Sequence, residues 1–318
     1  RYALSPRFSL LGGISAETVE GTVNLNGTAY RGAISAAAVA KTFNAALPAG
    51  TPELDTTTLG AAALGNTTAQ AAIDTAYGAG TFATLAGSLT TTSTDFATND
   101  GYKFNMKADT SVGFLLGAAY EIPDIALRVA LSFNSEITHK MDVEETLPLD
   151  VVVPGVGVVA SSTTTQSGSL DVKTPKSWNL DVQSGIAKDT LLFGSIRWVE
   201  HSVFSVYADL LDAELVSLDD TVTYTIGVGR RFSPNFSALA AFSHESAGDE
   251  EVSPLAPTNG FNSLTLGGAY TFDNGFEISG GASWRQVGDA KGYARGATRA
   301  TFDGNTVFGA GIKLSYTF

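Results

Sequence analysis

The stretch Gly309–Phe318, "GAGIKLSYTF", ends the chain on a strict alternation. Phe308, Ala310, Ile312, Leu314, Tyr316 and Phe318 fall on one side of a period of two, with Val307, Gly309, Gly311, Lys313, Ser315 and Thr317 on the other. Successive side chains of an extended chain point to opposite faces, so this is a strand with one apolar and one small or polar face. Working upstream, the pattern returns between turn signals. Phe276, Ile278, Ala282 and Trp284 oppose Glu277, Ser279, Ser283 and Arg285; Leu264, Leu266, Tyr270 and Phe272 share a face; Val222, Tyr224, Ile226, Val228 and Phe232 oppose Thr223, Thr225, Gly227, Gly229 and Arg231. Ile125, Leu127, Val129, Leu131 and Phe133 oppose Arg128, Ser132, Asn134 and Glu136, and similar segments occupy 7–24, 102–121, 168–187, 190–206 and 236–247. The total is roughly ten strands.

A β-sandwich also alternates, but its outer face is charged and its strands are shorter. Here the non-apolar face is mostly Gly, Ser, Thr and Asn. Aromatic residues stand near the ends of the apolar faces: Tyr120, Trp178, Trp198, Phe232, Tyr270 with Phe272, Trp284, and Tyr316 with Phe318. An apolar band, aromatic girdles and a polar interior are the pattern of an antiparallel transmembrane β-barrel of the outer membrane. The fold class predicted is therefore all-β.

Composition narrows the rest. A net charge of −13 argues against nucleic acid, whose phosphates select basic patches. The absence of Cys removes disulfides and thiolate metal sites. No apolar run approaches the ~20 residues of a membrane-spanning helix. The opening residues "RYALSPRFS" hold neither a starting Met nor an apolar signal core, so any export signal is expected to lie outside them.

The connections alternate in length. Tight turns at Glu121–Asp124, Ala187–Asp189, Ser233–Asn235 and Asp273–Gly275 alternate with long connections at 26–99, 146–166, 207–219, 248–260 and 288–304. Short turns on one rim and long loops on the other are the outer-membrane arrangement, which places every long connection outside the cell. The chain is read as a single barrel domain over 1–318, with 26–99 and 146–166 as extracellular loop insertions.

Those two loops are apolar where water is expected. In "SAAAVAKTFNAAL" Ser35 is a plausible N-cap, and Val39, Phe43 and Leu47 make one helical face; "TTAQAAIDTAY" and "TFATLAGSL" offer Ile73, Tyr77, Phe82 and Leu85. The second loop carries Leu147, Leu149, Val151, Val152, Val153, Val156, Val158 and Val159. Either the loops pack on each other as a cap, or they also enclose a groove for a hydrophobic solute. Phe43, Leu47, Phe82, Leu85, Leu149, Val151, Val153 and Val156 are the candidate groove residues.

The stretch "TPKSWNLDVQSGIAKDTLLFGSIRWVEHSVFSV" (Thr174–Val206), with Trp198, Val199, Glu200, His201 and Ser202 at its strand end, resembles the FadL-type long-chain fatty acid transporters of the outer membrane. "VGFLLGAAYEIPDIALRVALSFNSEITHKM" (Val112–Met141) is similar to the same family. The resemblance implies a monomeric barrel of about fourteen strands, plugged by an N-terminal hatch, that passes hydrophobic compounds inward. It implies partners too: fatty acids, outer-membrane lipid and lipopolysaccharide, and the assembly machinery that reads an aromatic-ended last strand such as the one closing on Phe318. No cofactor is implied. Because ten strands and no hatch are read here, the chain is expected to be N-terminally incomplete or a true ten-stranded barrel.

Charges on the interior face are expected to be Glu17, Arg128, Glu136, Asp181, Arg197, Glu277, Arg285 and Lys313. The plain account is a hydrated network of ion pairs. The sharper one gives Arg128, Arg197 and Arg285 a fatty acid carboxylate to hold by charge-assisted hydrogen bonds. Other readings are a general porin or structural barrel and a ten-stranded surface protease, the last resting on His139, His201 and His244 near extracellular strand ends. Scattered histidines form no metal-ligand spacing, and "GVGRRF" and "GGASW" lie within strands, so neither metal nor phosphate chemistry is expected.

Overall fold

A computed structural model describes residues 1–294 and 297–316. Thirteen strand segments make the main sheet. One is the two-residue Tyr2–Ala3 on its edge, and four others join pairwise into two interrupted strands, leaving ten wall strands. In spatial order, which is also chain order, these are Phe8–Leu25, Tyr102–Ile122, Leu127–Asn134 continued by Ile137–Pro148, Thr163–Thr174 leading into Ser177–Ala187, and then Thr190–Val199. Thr221–Arg231, Phe236–Glu245, Phe261–Thr271, Phe276–Val287 and Thr306–Tyr316 follow. Every wall pairing is antiparallel. Among the described residues the first and last wall strands are not bonded to each other, so the sheet is open. Among the described residues no helix is long and apolar enough to cross a membrane.

The register sorts side chains cleanly, because directly paired residues of antiparallel strands share a face. Asp181, Ser195 and Thr225 lie in one row, as do Asn179, Arg197 and Thr223. Following such rows across the sheet puts Glu17, Arg128, Asp181, Arg197, Glu277, Arg285 and Lys313 on a single face. Glu136 falls between two strand segments and pairs with Lys173 at 3.1 Å. The other face carries Ile14, Phe114, Leu131, Trp178, Ile196, Ile226, Phe242, Leu266, Trp284 and Ile312, all exposed. Exposed apolar side chains on one whole face of a sheet have lipid as their natural solvent. The terminal Phe318 lies outside the described residues.

Both interrupted strands break at the same height. Tyr102–Ile122 is bonded to Leu127–Asn134 from Leu115 to Ile122 and to Ile137–Pro148 only from Lys103 to Met106. Between these stretches the ladder stops and side chains bridge it. The Phe114 amide donates to Ser135 Oγ at 2.9 Å, and His139 Nδ1 stands 3.1 Å from Asp109 Oδ2. Ile137 leans on Gly113, where a Cβ would sit 2.6 Å from its Cγ1. The neighbouring strand breaks at Pro175, which has no amide hydrogen to give a ladder.

The long first loop folds into four helices: α1 (Thr28–Ala45), α2 (Thr56–Ala63), α3 (Thr67–Tyr77) and α4 (Thr81–Thr98). α1 starts a full two turns before Ser35, at a Gly27 N-cap with φ +74°, which corrects the cap expected at Ser35. Ser35 is 2% exposed inside the helix, and its hydroxyl has no partner. Burial explains the difference: Ile34 belongs to the apolar stripe and is 1% exposed, so packing extends the helix through a residue that would otherwise cap it. α2 has its own cap, with Asp55 Oδ2 accepting from the Thr58 amide at 2.8 Å. In the second loop the wall hairpin climbs to Pro148 and restarts at Thr163, beyond the expected limits, and carries the small hairpin Val151–Val153 with Gly157–Ala160.

Candidate functional site

The rim of the wall that carries the long loops is roofed by two apolar clusters. One holds Val39, Phe43, Leu54, Leu59, Ile73, Leu85 and Val152, with Leu47, Phe82 and Val158 against it, and joins all four helices to the small hairpin. The Phe43 ring meets Tyr77 edge-on with centroids 5.3 Å apart. The second cluster joins α1 and α4 to the wall: Ile34, Phe96, Tyr102, Phe104, Leu147, Leu149, Leu210 and Leu215. Side-chain spacing on amphipathic helices is what brings these residues inward.

Buried polar contacts lock the roof. Glu145, 2% exposed, accepts from Tyr102 Oη at 2.8 Å and from the amides of Asp209 and Leu210 at 2.8 and 2.9 Å. Lys41 Nζ donates to the carbonyl of Leu210 at 3.0 Å, so the loop around Asp209 is held from two sides. Asp150, 1% exposed, accepts from Thr92 Oγ1 at 2.7 Å and ties α4 to the second loop. Burial pushes its carboxyl above the usual carboxylate range, against the pull of the Thr92 hydroxyl, and the charge of Asp95 pushes the same way.

A chain of cavities leads down from the roof. The first is an apolar groove of about 420 Å³ between α1, the start of α2 and the loops around Leu211 and Leu255, lined by Leu25, Tyr30, Ile34, Leu211, Leu215 and Leu255. It shares Glu214, Leu215 and Pro254 with a vestibule of about 910 Å³, whose walls include Asp219, Asp220, Asp249 and Glu251. The vestibule shares His201, Thr221 and Glu245 with a cavity of about 350 Å³ on the charge-bearing face of the wall. That third space is lined by Arg197, Arg285, Asn179 and Phe261. Below it an open hollow of about 920 Å³ runs between Asp189 and Lys313.

The candidate residues from the sequence divide. Phe43, Leu47, Phe82 and Leu85 come together in the roof, with Phe43 and Leu85 1% and 0% exposed, so they pack helices on each other. Leu149 sits in the second cluster. Val151 and Val156 are exposed at 45% and 68%, and Val153 is half-buried. The groove is lined by other residues, chiefly Tyr30, Ile34, Leu211 and Leu255, which no periodicity in the sequence links because they lie on three different connections. Arg197 and Arg285 line one cavity, with the Arg285 guanidinium 3.8 Å above the Phe261 ring. Neither has a carboxylate partner among the described residues. Arg128 is separate, 3.4 Å from Glu121, which also holds Arg1 at 2.8 Å.

The histidines do not form one site. His139 is fully buried against Asp109, His201 lines the luminal cavity, and His244 projects from the outward face with Nδ1 2.9 Å from Asn262 Oδ1. Among the described residues no cluster of His, Asp and Glu could hold a metal ion.

Comparison with known proteins agrees with this architecture. The model of the family described as outer membrane protein transport protein (OMPP1/FadL/TodX) matches residues 56–318. Among solved structures, a Pseudomonas aeruginosa FadL homologue aligns over 98% of this chain and 63% of its own, at 14% identity and a TM-score of 0.55, which supports the fold. The Pseudomonas putida toluene transporter TodX aligns over 60% of this chain and 48% of its own at 15% identity, TM-score 0.40. The CymD monoaromatic hydrocarbon channel aligns over 58% and 51% at 15% identity, TM-score 0.40. The chain thus spans roughly half to two thirds of the length of these structures. No curated protein sequence matches it. The chain belongs to the OMPP1/FadL/TodX family of outer-membrane β-barrel proteins of Gram-negative bacteria.

Proposed function

From membership of this family we propose that the chain carries hydrophobic molecules passively across the outer membrane, with capture in the apolar groove and transfer through the vestibule to the luminal cavity. The observation that carries the reading is the unbroken succession of cavities, each sharing lining residues with the next, from Leu211 and Leu255 to Arg197 and Arg285. Apolar groove walls favour a molecule leaving water, and no energy source is needed for a downhill path.

For the passenger we favour an amphiphile with a carboxylate head, such as a long-chain fatty acid. Two guanidiniums facing one cavity, neither ion-paired among the described residues although Glu245 lines the same space, are suited to an anionic head group. A second reading, an uncharged hydrocarbon, draws on the acidic vestibule, since Asp219, Asp220, Asp249 and Glu251 repel an anion on its way in. The family description, which joins FadL with TodX, is compatible with both.

Proteoliposome uptake of a long-chain fatty acid, toluene and a small sugar, compared side by side, tests these readings. Fatty acid uptake that falls in Arg197→Gln and Arg285→Gln supports the first. Toluene uptake indifferent to both substitutions, with little fatty acid uptake, supports the second. Sugar flux exceeding both would assign the chain to the general porins.

A further inference from the structure

The luminal cavity and the hollow below it share no lining residue. Along the strand Thr190–Val199 the inward-facing positions are Leu191, Phe193, Ser195, Arg197 and Val199; Ser195, Arg197 and Val199 line the upper space, Leu191 the lower, and Phe193 stands between. On the neighbouring strand Thr225 belongs to the upper space and Gly229 to the lower, with Gly227 between them. Phe193 and Gly227 are direct cross-strand partners. The Phe193 ring occupies the place a Gly227 side chain would take: a Cβ there would lie 2.7 Å from Cε2 of the ring and 2.9 Å from the Ala240 carbonyl oxygen. Glycine is what gives the ring room to lie along the wall.

The inward row is otherwise made of short or polar side chains. Beside Gly227 it runs through Ala241, Thr265 and Ser283, and on the other side it reaches Gln183. Among the described residues of this row, the Phe193 ring is thus the one large apolar group. Its χ1 and χ2 give it two ways to stand: flat over Gly227, leaving the widest passage, or turned off the glycine and into the lumen.

We infer that Phe193, seated on Gly227, is the constriction that decides which hydrophobic molecules pass from the luminal cavity to the lower hollow. This rests on the transport reading above. Width is the property it selects: a straight alkyl chain slides past a ring lying flat on the wall, whereas a fused two-ring hydrocarbon meets it. The ring also shields the Gly227 backbone, and a purely structural role of that kind would change stability without changing selectivity.

The test uses the full chain in proteoliposomes and in planar bilayers, with palmitate and naphthalene as probes. Phe193→Ala is expected to raise naphthalene uptake several-fold relative to palmitate and to raise ion conductance. Phe193→Trp is expected to do the reverse, and Phe193→Tyr to restore wild-type ratios. Gly227→Ala, which displaces the ring, should lower conductance. Unchanged probe ratios and conductance in Phe193→Ala, in protein that retains the wild-type strand signal, would overturn the assignment. If the wild type takes up neither probe yet Phe193→Ala still raises conductance, the transport reading fails and the constriction stands.

Discussion

The wall and the roof of this molecule are built on opposite principles. Wall strands satisfy their backbone through neighbouring strands and leave large side chains such as Ile14, Leu266 and Ile312 exposed at 87%, 54% and 81%. The roof buries Phe43, Leu59, Ile73 and Leu85 to 1% or less and forms an ordinary water-soluble core. The wall depends on lipid for its apolar face, while the core between the four helices depends on its own packing and is anchored to the wall through the cluster around Tyr102 and Phe104. Damage to one should therefore leave the other standing, and substitutions can be chosen to break that independence.

The largest effect is expected in the roof. Phe43→Ala removes a fully buried ring that packs on Tyr77 and should cost about 3–5 kcal/mol of roof stability. Protease cleavage between α1 and α4, with an unchanged β-sheet circular dichroism signal, would show the roof opening on an intact wall. Simultaneous loss of both would contradict the comparison. Next comes the wall: Leu266→Arg places a charge on the lipid face and should cost about 2–4 kcal/mol if the residue lies near the bilayer midplane. The readout is the midpoint of urea unfolding in lipid vesicles, with the roof's protease resistance unaffected below that midpoint. A smaller effect is expected at the helix cap, where Asp55→Ala should cost about 1 kcal/mol and shift only local protection of α2.

Proton uptake distinguishes the regions as well. The Asp150 carboxyl is raised by burial, so its contribution to the contact between α4 and the second loop is fully present below the ordinary carboxylate range. It is lost as pH rises through the raised folded value, because the charged form must then stay buried. Protease sensitivity of α4 should accordingly increase as pH rises through that window, and Asp150→Asn should flatten the profile. A profile unchanged by that substitution would place the pH response elsewhere.

How much was legible depended on whether the signal was local. Strand periodicity from Phe8 to Tyr316 anticipated the wall strands and their short and long connections, since alternation is imposed by the pleat itself. The interior placement of Glu17, Asp181, Arg197, Arg285 and Lys313 follows from the same period. The spacing of Ile73, Tyr77, Phe82 and Leu85 marks helices α3 and α4, whereas α2 and its Asp55 cap leave no periodic signal in a short Thr-rich run. The start of α1 cannot be placed from the sequence, because Ser35 has the chemistry of a cap and only the packing of Ile34 shows that it is not one.

The site itself was less legible. Apolar residues in the loops were recognised, but which of them pack on each other and which line open space depends on partners distant in sequence: Phe43 meets Tyr77, while Tyr30 meets the groove beside Leu211 and Leu255. Likewise Arg197 and Arg285 share a cavity and Arg128 is drawn to Glu121 at another level, although all three occupy equivalent positions in the pattern.

The sequence by itself determined the two faces of every wall strand and the sides on which long and short connections lie, because these follow from a period of two and from chain order. Only the tertiary structure decided where the roof closes, where the cavities join and that Phe193 rests on Gly227, because each of those depends on side chains meeting across strands and loops whose separation in sequence carries no periodic trace.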